Sequence, residues 1–370
     1  MQFSLLFLSL VGAGNAILLP KPSGPYGTAL RIEGMTDKSR IDPYDPKKGH
    51  RQVLASIFWP VDAASCSNKV VPYMPPLTAK AYGQQVAQLG LSNDTFSGLE
   101  FQVCKTPIAQ KGCESEKKSF PVAVFSPGAG NSRLIYSLMA RSLASYGNVV
   151  VLIDHPYDPA VVEFPDGKII KGGNIPDDPK SNQQLGLVKA KDMSFTISEL
   201  LRPSFQKRVF KGLPGSIDSK KIVALGHSLG GASAAIAMVS DNRIRGGMDL
   251  DGQIFEPALS NGLDKPFFLI GRPNHSKEDT TWKKFYAKLR GPKKEIAVKD
   301  TVHGSFTDYP QVLKALDLPE AVMKAIEQQV GTAEPSYLQK FLSKTLVDYM
   351  GISFAYKRHS VTDRALVSLV

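Results

Sequence analysis

From Phe120 onward, short apolar runs bounded by glycine or proline alternate with longer amphipathic segments. A strand covered on both faces reads as a continuous apolar run, whereas a helix laid on a sheet repeats its apolar positions every 3.6 residues. The alternation therefore predicts strand–helix–strand units and a largely parallel buried sheet, an α/β fold class. Expected strands are 121–125, 148–153, 221–225, 247–250, 266–270 and 295–298, and expected helices are 133–146, 184–201, 230–240 and 280–289. Pro165, Asp166 and Gly167 at the centre of 161–171 predict a hairpin inserted in a loop. Earlier in the chain, apolar runs at 29–32 and 53–59 flank a polar loop holding Pro43, Pro46, Lys47, Lys48 and Gly49, the pattern of a hairpin that opens a sheet. Residues 73–91 contain a helix-like segment behind Pro75 and Pro76, and the stretch to Lys118 is polar and loop-rich. Beyond His303 the pattern is helical, with Leu338, Phe341, Leu342, Leu346 and Tyr349 at helical spacing within 335–350, a stripe suited to core packing.

The first sixteen residues carry no charge, hold an apolar run at 3–11 and end in the small residues Gly14 and Ala16. They read as a signal peptide (1–16) and imply a secreted protein. That run is too short to span a bilayer, and no later stretch is long enough either. Residues 17–370 are expected to form a single domain: a hairpin and loop-rich extension (17–119), a core carrying the chemistry (120–310) and C-terminal helices (311–370). A chain of 370 residues with 42% hydrophobic and 21% charged side chains can bury a large core and lies in the ordinary globular range. The net charge of +11 is compatible with peripheral contact at an anionic lipid surface. No zinc-finger spacing, RNP-like aromatic pattern or basic arm accompanies it, so nucleic acid is not an expected partner. Cys66, Cys104 and Cys113 allow one disulfide and one free thiol. Cys104 and Cys113 bracket a short polar loop and are the preferred pair, with Cys66 to either left open. Asn93 and Asn274 begin N-glycosylation triplets.

The segment 221–231 runs from apolar residues into Gly226-His227-Ser228-Leu229-Gly230 and leaves through Gly231, Ala232, Ser233, Ala234 and Ala235. This is a nucleophile elbow in its strand–turn–helix setting. A serine at the tip of so tight a turn needs neighbours without bulk two residues before and after, which Gly226 and Gly230 supply. Ser228 is the expected nucleophile and the α/β-hydrolase fold the expected architecture. A serine nucleophile needs a base, and the base an orienting acid. In this fold the order along the chain is serine, acid, histidine. Three histidines follow Ser228. His275 lies in a polar loop that contains the second triplet, and His359 in a basic tail. His303 follows the last expected strand and is the expected base. Asp249 and Asp251 alternate with apolar residues at the end of the strand before 266–270. Asp251, beside Gly252, is the chosen acid, Asp249 the fallback and Asp279 a weaker candidate. The oxyanion hole is expected from the backbone N–H of Leu229 and of Ala129, the latter inside the turn Gly128-Ala129-Gly130 after an earlier strand. Asp154 and His155 precede the elbow and are expected to shape the pocket rim, and His227 to be packed structure. No metal-site spacing, P-loop or dinucleotide fingerprint is present, and no cofactor is expected.

These stretches resemble the type II platelet-activating factor acetylhydrolases, secreted and intracellular, with their fungal relatives. The matching segments are 125–130 with Tyr136 and Ser137 behind them, Asp154-His155, 226–231, 249–255 and 302–308, in the family's order. The resemblance implies Ser228 as nucleophile, Asp251 as acid, His303 as base and the N–H groups of Ala129 and Leu229 as the hole. It also implies calcium-independent cleavage of short or oxidised sn-2 acyl chains from phospholipids. Pro127 stands where the family has a histidine, Gly252-Gln253 where it has a bulkier pair with an aromatic, and the loop at 171–184 is unlike the family's. These departures border the pocket and bear on substrate choice. A general carboxylesterase or polyester hydrolase shares the same triad, and a non-catalytic lipid-binding protein on this scaffold is the alternative of a different class.

Overall fold

The computed structural model describes residues 16–88, 90–105 and 118–356. Residues 1–15 of the expected signal peptide, together with Cys113 and His359, lie outside the described residues. Eight strands build the main sheet: β1 (Gly27–Ile41), β2 (His50–Val61), β3 (Ser119–Ser126), β4 (Val149–Asp154), β5 (Ser216–His227), β6 (Ile244–Leu250), β7 (Phe267–Gly271) and β8 (Lys293–Ala297). Their spatial order is β1-β2-β4-β3-β5-β6-β7-β8. β3 to β8 pair parallel, while the β1–β2 hairpin joins antiparallel through β2 and β4. This is the α/β-hydrolase arrangement, a mostly parallel sheet flanked by helices. Every residue of β4 and β7 is buried, which is why these strands read as unbroken apolar runs. β8 closes one edge and carries Lys293 and Lys294 in exposed positions, a charge pattern that discourages further strand pairing.

The period-2 alternation of the strands divides the core between two faces. Val122 and Val124 of β3 pack on one side with Met193 and Ile197 of α2 (Pro179–Leu200), Ala234 and Ala235 of α3 (Leu229–Ser240), and Phe285 of α4 (Thr280–Lys288). Ala123 and Phe125 face the other side, against Leu138 and Leu143 of α1 (Ser137–Ala144) and Leu342, Leu346 and Tyr349 of α5 (Pro335–Ala355). The segment expected as one helix over 133–146 opens as a 3₁₀ turn, Arg133–Tyr136, before α1 begins. The inserted hairpin forms from Val161–Glu163 and Ile169–Lys171, with Gly167 at φ 88° in its turn.

Two features depart from the sequence expectation. β1 extends through residues read as loop, because its inward positions Glu33 and Asp37 are carboxylates paired with Arg31 and Arg40 rather than apolar side chains. The loop-rich stretch before Lys118 also contains a second sheet, in which Leu99–Cys104 lies between Ile17–Leu18 and Asn68–Pro72. Its antiparallel register sets Asn68 opposite Cys104, so Cys66, two residues upstream, reaches Cys104. The disulfide is therefore Cys66–Cys104, with Cα atoms 5.0 Å apart, and not the preferred Cys104–Cys113 pair.

Candidate active site

Parallel strands deliver their loops to one edge of the sheet, and the chemistry-bearing residues gather at the carboxyl ends of β3, β5, β6 and β7 and just beyond β8. β5 turns into α3 at Ser228, whose backbone takes φ 55° and ψ −129°, a strained geometry for a residue with a side chain. A methyl group added at Gly226 would meet the Gly230 backbone, and one at Gly230 would meet the carbonyl of Ser126. The Ser228 N–H donates to the Leu250 carbonyl at 2.8 Å, anchoring the elbow to the end of β6.

Asp251 also adopts positive φ, 56°, as the chain leaves β6. Its Oδ2 lies 2.7 Å from Nδ1 of His303, the first residue of the 3₁₀ turn His303–Phe306. Ser228, Asp251 and His303 line one cavity of about 590 Å³, into which Gln253, Arg272 and Glu278 also project. Burial disfavours the charge of Asp251. Hydrogen bonds with His275 and His303 and from the Arg272 backbone N–H outweigh it, holding the carboxyl well below the usual range. A carboxylate at Asp251 accepts a hydrogen bond from the Nδ1–H of His303, which fixes the tautomer whose Nε2 carries a free lone pair.

Asp249 is fully buried, and burial pushes its carboxyl well above the usual range. It accepts the Gly252 N–H at 3.2 Å and packs so closely against Gly231 that a methyl group there would strike the carboxyl. Asp279 accepts the Thr281 N–H at 2.8 Å and caps α4. His303 is thus brought to Asp251 and to neither alternative acid. Gly252 leaves no room for a Cβ beside the Ser228 backbone, so Gln253 is the member of the Gly252-Gln253 pair that reaches the cavity.

The turn after β3 passes directly over the nucleophile: a Cβ at Gly128 would lie 3.2 Å from that of Ser228. The Gly128 N–H donates to Tyr136 Oη at 3.2 Å and the Gly130 N–H to Asp158 Oδ1 at 2.8 Å, while the Ala129 N–H between them has no acceptor among the described residues. Leu229 begins α3, and an N–H in the first turn of a helix has no intrahelical acceptor. Neither of the two backbone groups expected to form the hole has an acceptor among the described residues.

Several participants were not legible in the sequence. His275, read as a residue of a polar loop, is only 5% exposed, with Nδ1 2.9 Å from Asp251 Oδ1 and its ring against Trp282. Burial works against its charge, but the carboxylates of Asp251 and Asp279 prevail and push its pKa up to about 9. The Arg272 guanidinium sits 2.7 Å from Asp251 Oδ2 and 2.7 Å from Glu278. His227 is buried, its pKa lowered to about 3 by burial and by the neighbouring His303. In that neutral ring Nε2–H donates to the His303 carbonyl at 3.1 Å, and Nδ1 accepts from Tyr136 Oη at 2.8 Å. One hydrogen-bonded chain therefore runs from the Gly128 N–H through Tyr136 and His227 to the backbone of His303. Asp154 and His155 do not shape the rim, because both are buried behind the turn. Asp154 accepts from Ser132 and Arg133, and His155 bridges Ser126 Oγ (2.9 Å) and Asp192 (2.8 Å). Asp154 is the last residue of β4 and His155 follows it, and a buried polar pair at this place calls for buried partners.

A family model described as platelet-activating factor acetylhydrolase, isoform II, matches residues 19–165 and 181–360. A probable 1-alkyl-2-acetylglycerophosphocholine esterase of Arthroderma benhamiae is 29% identical over 361 residues, covering 92% of this chain and 89% of that protein. A platelet-activating factor acetylhydrolase of Cavia porcellus is 29% identical over 218 residues, 52% of this chain and 49% of its own length. Among solved structures, a ferulic acid esterase from Streptomyces cinnamoneus superposes with a TM-score of 0.72 at 26% identity, covering 90% of this chain and 92% of that one.

Proposed function

The chain belongs to the platelet-activating factor acetylhydrolase, isoform II, family and is a carboxylic ester hydrolase, and from that premise we propose that it cleaves short sn-2 acyl esters of phospholipids through a Ser228–His303–Asp251 triad. The carrying observation is the 2.7 Å contact of His303 Nδ1 with Asp251 beside a serine held at φ 55°. His303 Nε2 takes the Ser228 proton as Oγ attacks the ester carbonyl. The developing oxyanion sits on the Ala129 and Leu229 N–H groups, His303 protonates the leaving alcohol, and water repeats the sequence to free the acid from the acyl-enzyme. Asp251 fixes the imidazole tautomer and stabilises its charge. Gln253, Arg272 and Glu278 give the cavity groups of both signs, a lining suited to a zwitterionic head group on the leaving alcohol. The acetyl esterases it resembles, from Arthroderma benhamiae and Cavia porcellus, favour the acetyl ester of such a phospholipid.

Export through residues 1–16 is part of the same proposal and is supported by the Cys66–Cys104 bond, since disulfides persist in oxidising compartments. The structural similarity to a ferulic acid esterase favours a second reading, a general carboxylesterase not confined to phospholipids. Hydrolysis rates on phospholipids that differ only in sn-2 chain length, acetyl to palmitoyl, separate the two. A steep fall beyond short chains is expected; good aryl-acetate turnover with no phospholipid cleavage overturns the lipid assignment.

A further inference from the structure

Lys189 of α2 is wholly buried, an uncommon state for a lysine and one the triad chemistry leaves unused. Its Nζ donates to the carbonyl oxygens of Pro127 and Gly128, each at 3.0 Å, and lies 2.7 Å from Asp158 Oδ2. The other oxygen of Asp158 takes the Gly130 N–H at 2.8 Å. The ion pair therefore grips the turn over Ser228 from both ends, by two carbonyls before Ala129 and one N–H after it. A trans peptide is planar, with its C=O and N–H pointing to opposite sides. Holding the Gly128 oxygen toward α2 thus aims the Ala129 N–H of the same peptide away from α2. A hydrogen bond to that carbonyl also polarises the peptide and strengthens its N–H as a donor. α2 is a firm platform for this grip: one turn on, Asp192 binds Arg51 at 2.7 Å and His155 at 2.8 Å, and His155 in turn holds Ser126 at the start of the same turn.

We propose that Lys189, with Asp158 as its counter-charge, is the positioning residue of the oxyanion loop, fixing the Gly128–Ala129 peptide so that the Ala129 N–H meets the developing charge. The inference rests on the reading of Ala129 and Leu229 as the oxyanion hole. Lys189 touches no reacting atom. Its contribution is expressed in the transition state, so its loss lowers kcat and leaves ground-state binding in place.

The test compares the wild type with Lys189→Met and with Lys189→Met/Asp158→Asn on a soluble short-chain ester, with Ser228→Ala in parallel. The double variant removes both buried charges but keeps an oxygen at position 158 for the Gly130 N–H, so it yields a folded protein if Lys189→Met alone does not. Losing an oxyanion donor costs about 10²-fold or more in kcat. The expected result is a kcat lowered by roughly 10²-fold with KM within about threefold of wild type. Affinity for a trifluoromethyl ketone, which Ser228 would attack to form an oxyanion adduct, falls in step. A folded double variant with wild-type kcat, or a loss seen only in KM, overturns the inference. Activity surviving in Ser228→Ala instead overturns the triad reading, so the two failures are distinguishable.

Discussion

His275 adds a charge beside the proposed catalytic acid whose removal has a calculable signature. Its neighbours are Asp251 at 2.9 Å, Asp279 at 3.5 Å, buried Asp249, the Arg272 guanidinium and the Trp282 ring. The carboxylates raise its pKa from 6.5 to about 9 against the pull of burial. A group that binds its proton more tightly when folded contributes stability that is fully present below pH 6.5 and is lost as pH rises through about 9. At about 1.36 kcal/mol for each tenfold change in proton affinity, the ceiling is roughly 3.4 kcal/mol. Arg272 shares the same carboxylate and the cavity admits solvent, so about 1–2 kcal/mol is the expected share after screening. His275→Gln removes it. Urea denaturation of both proteins at pH 6, 7.5 and 9.5 should show the variant less stable by that amount at pH 6, with the gap closing toward pH 9.5. A gap that stays constant, or widens with pH, refutes the reasoning.

Three further outcomes are expected. Asp251→Asn leaves His303 in the wrong tautomer and should lower kcat by roughly 10²- to 10⁴-fold with little change in KM, read from steady-state kinetics. Tyr136→Phe strands the Gly128 N–H and His227 Nδ1 in a buried site and should cost about 2–4 kcal/mol in denaturant unfolding; a loss under 0.5 kcal/mol contradicts the relay. Cys104→Ser opens a loop of sequence separation 38 and should reduce stability by about 2–4 kcal/mol in a non-reducing melt, a difference that vanishes when both proteins are reduced.

The parts of this molecule legible in its sequence are those in which local sterics and burial dictate residue type. Gly226 and Gly230 advertise the elbow because any side chain there strikes backbone, and the buried strands announce themselves as apolar runs. The chain order serine, acid, histidine directs attention to Ser228, Asp251 and His303, and the structure brings all three to one cavity. The parts that stayed hidden depend on partners distant in the chain. His275 reads as a surface histidine until β7 carries it beneath the cavity, and Lys189 reads as one lysine among many until α2 sets it under the turn at Gly128. The second half of β1, beyond the apolar run at 29–32, escaped notice because arginines neutralise its inward carboxylates. Pairing of Cys66 with Cys104 follows from a strand register that composition does not encode.

The central claim is that Ser228 is the nucleophile, and reaction with a fluorophosphonate followed by peptide mass spectrometry tests it most directly. The account predicts one adduct per chain, on the peptide holding Ser228, formed in proportion to the loss of esterase activity and absent from Ser228→Ala. An adduct on another residue, or full turnover by the Ser228→Ala protein, contradicts it.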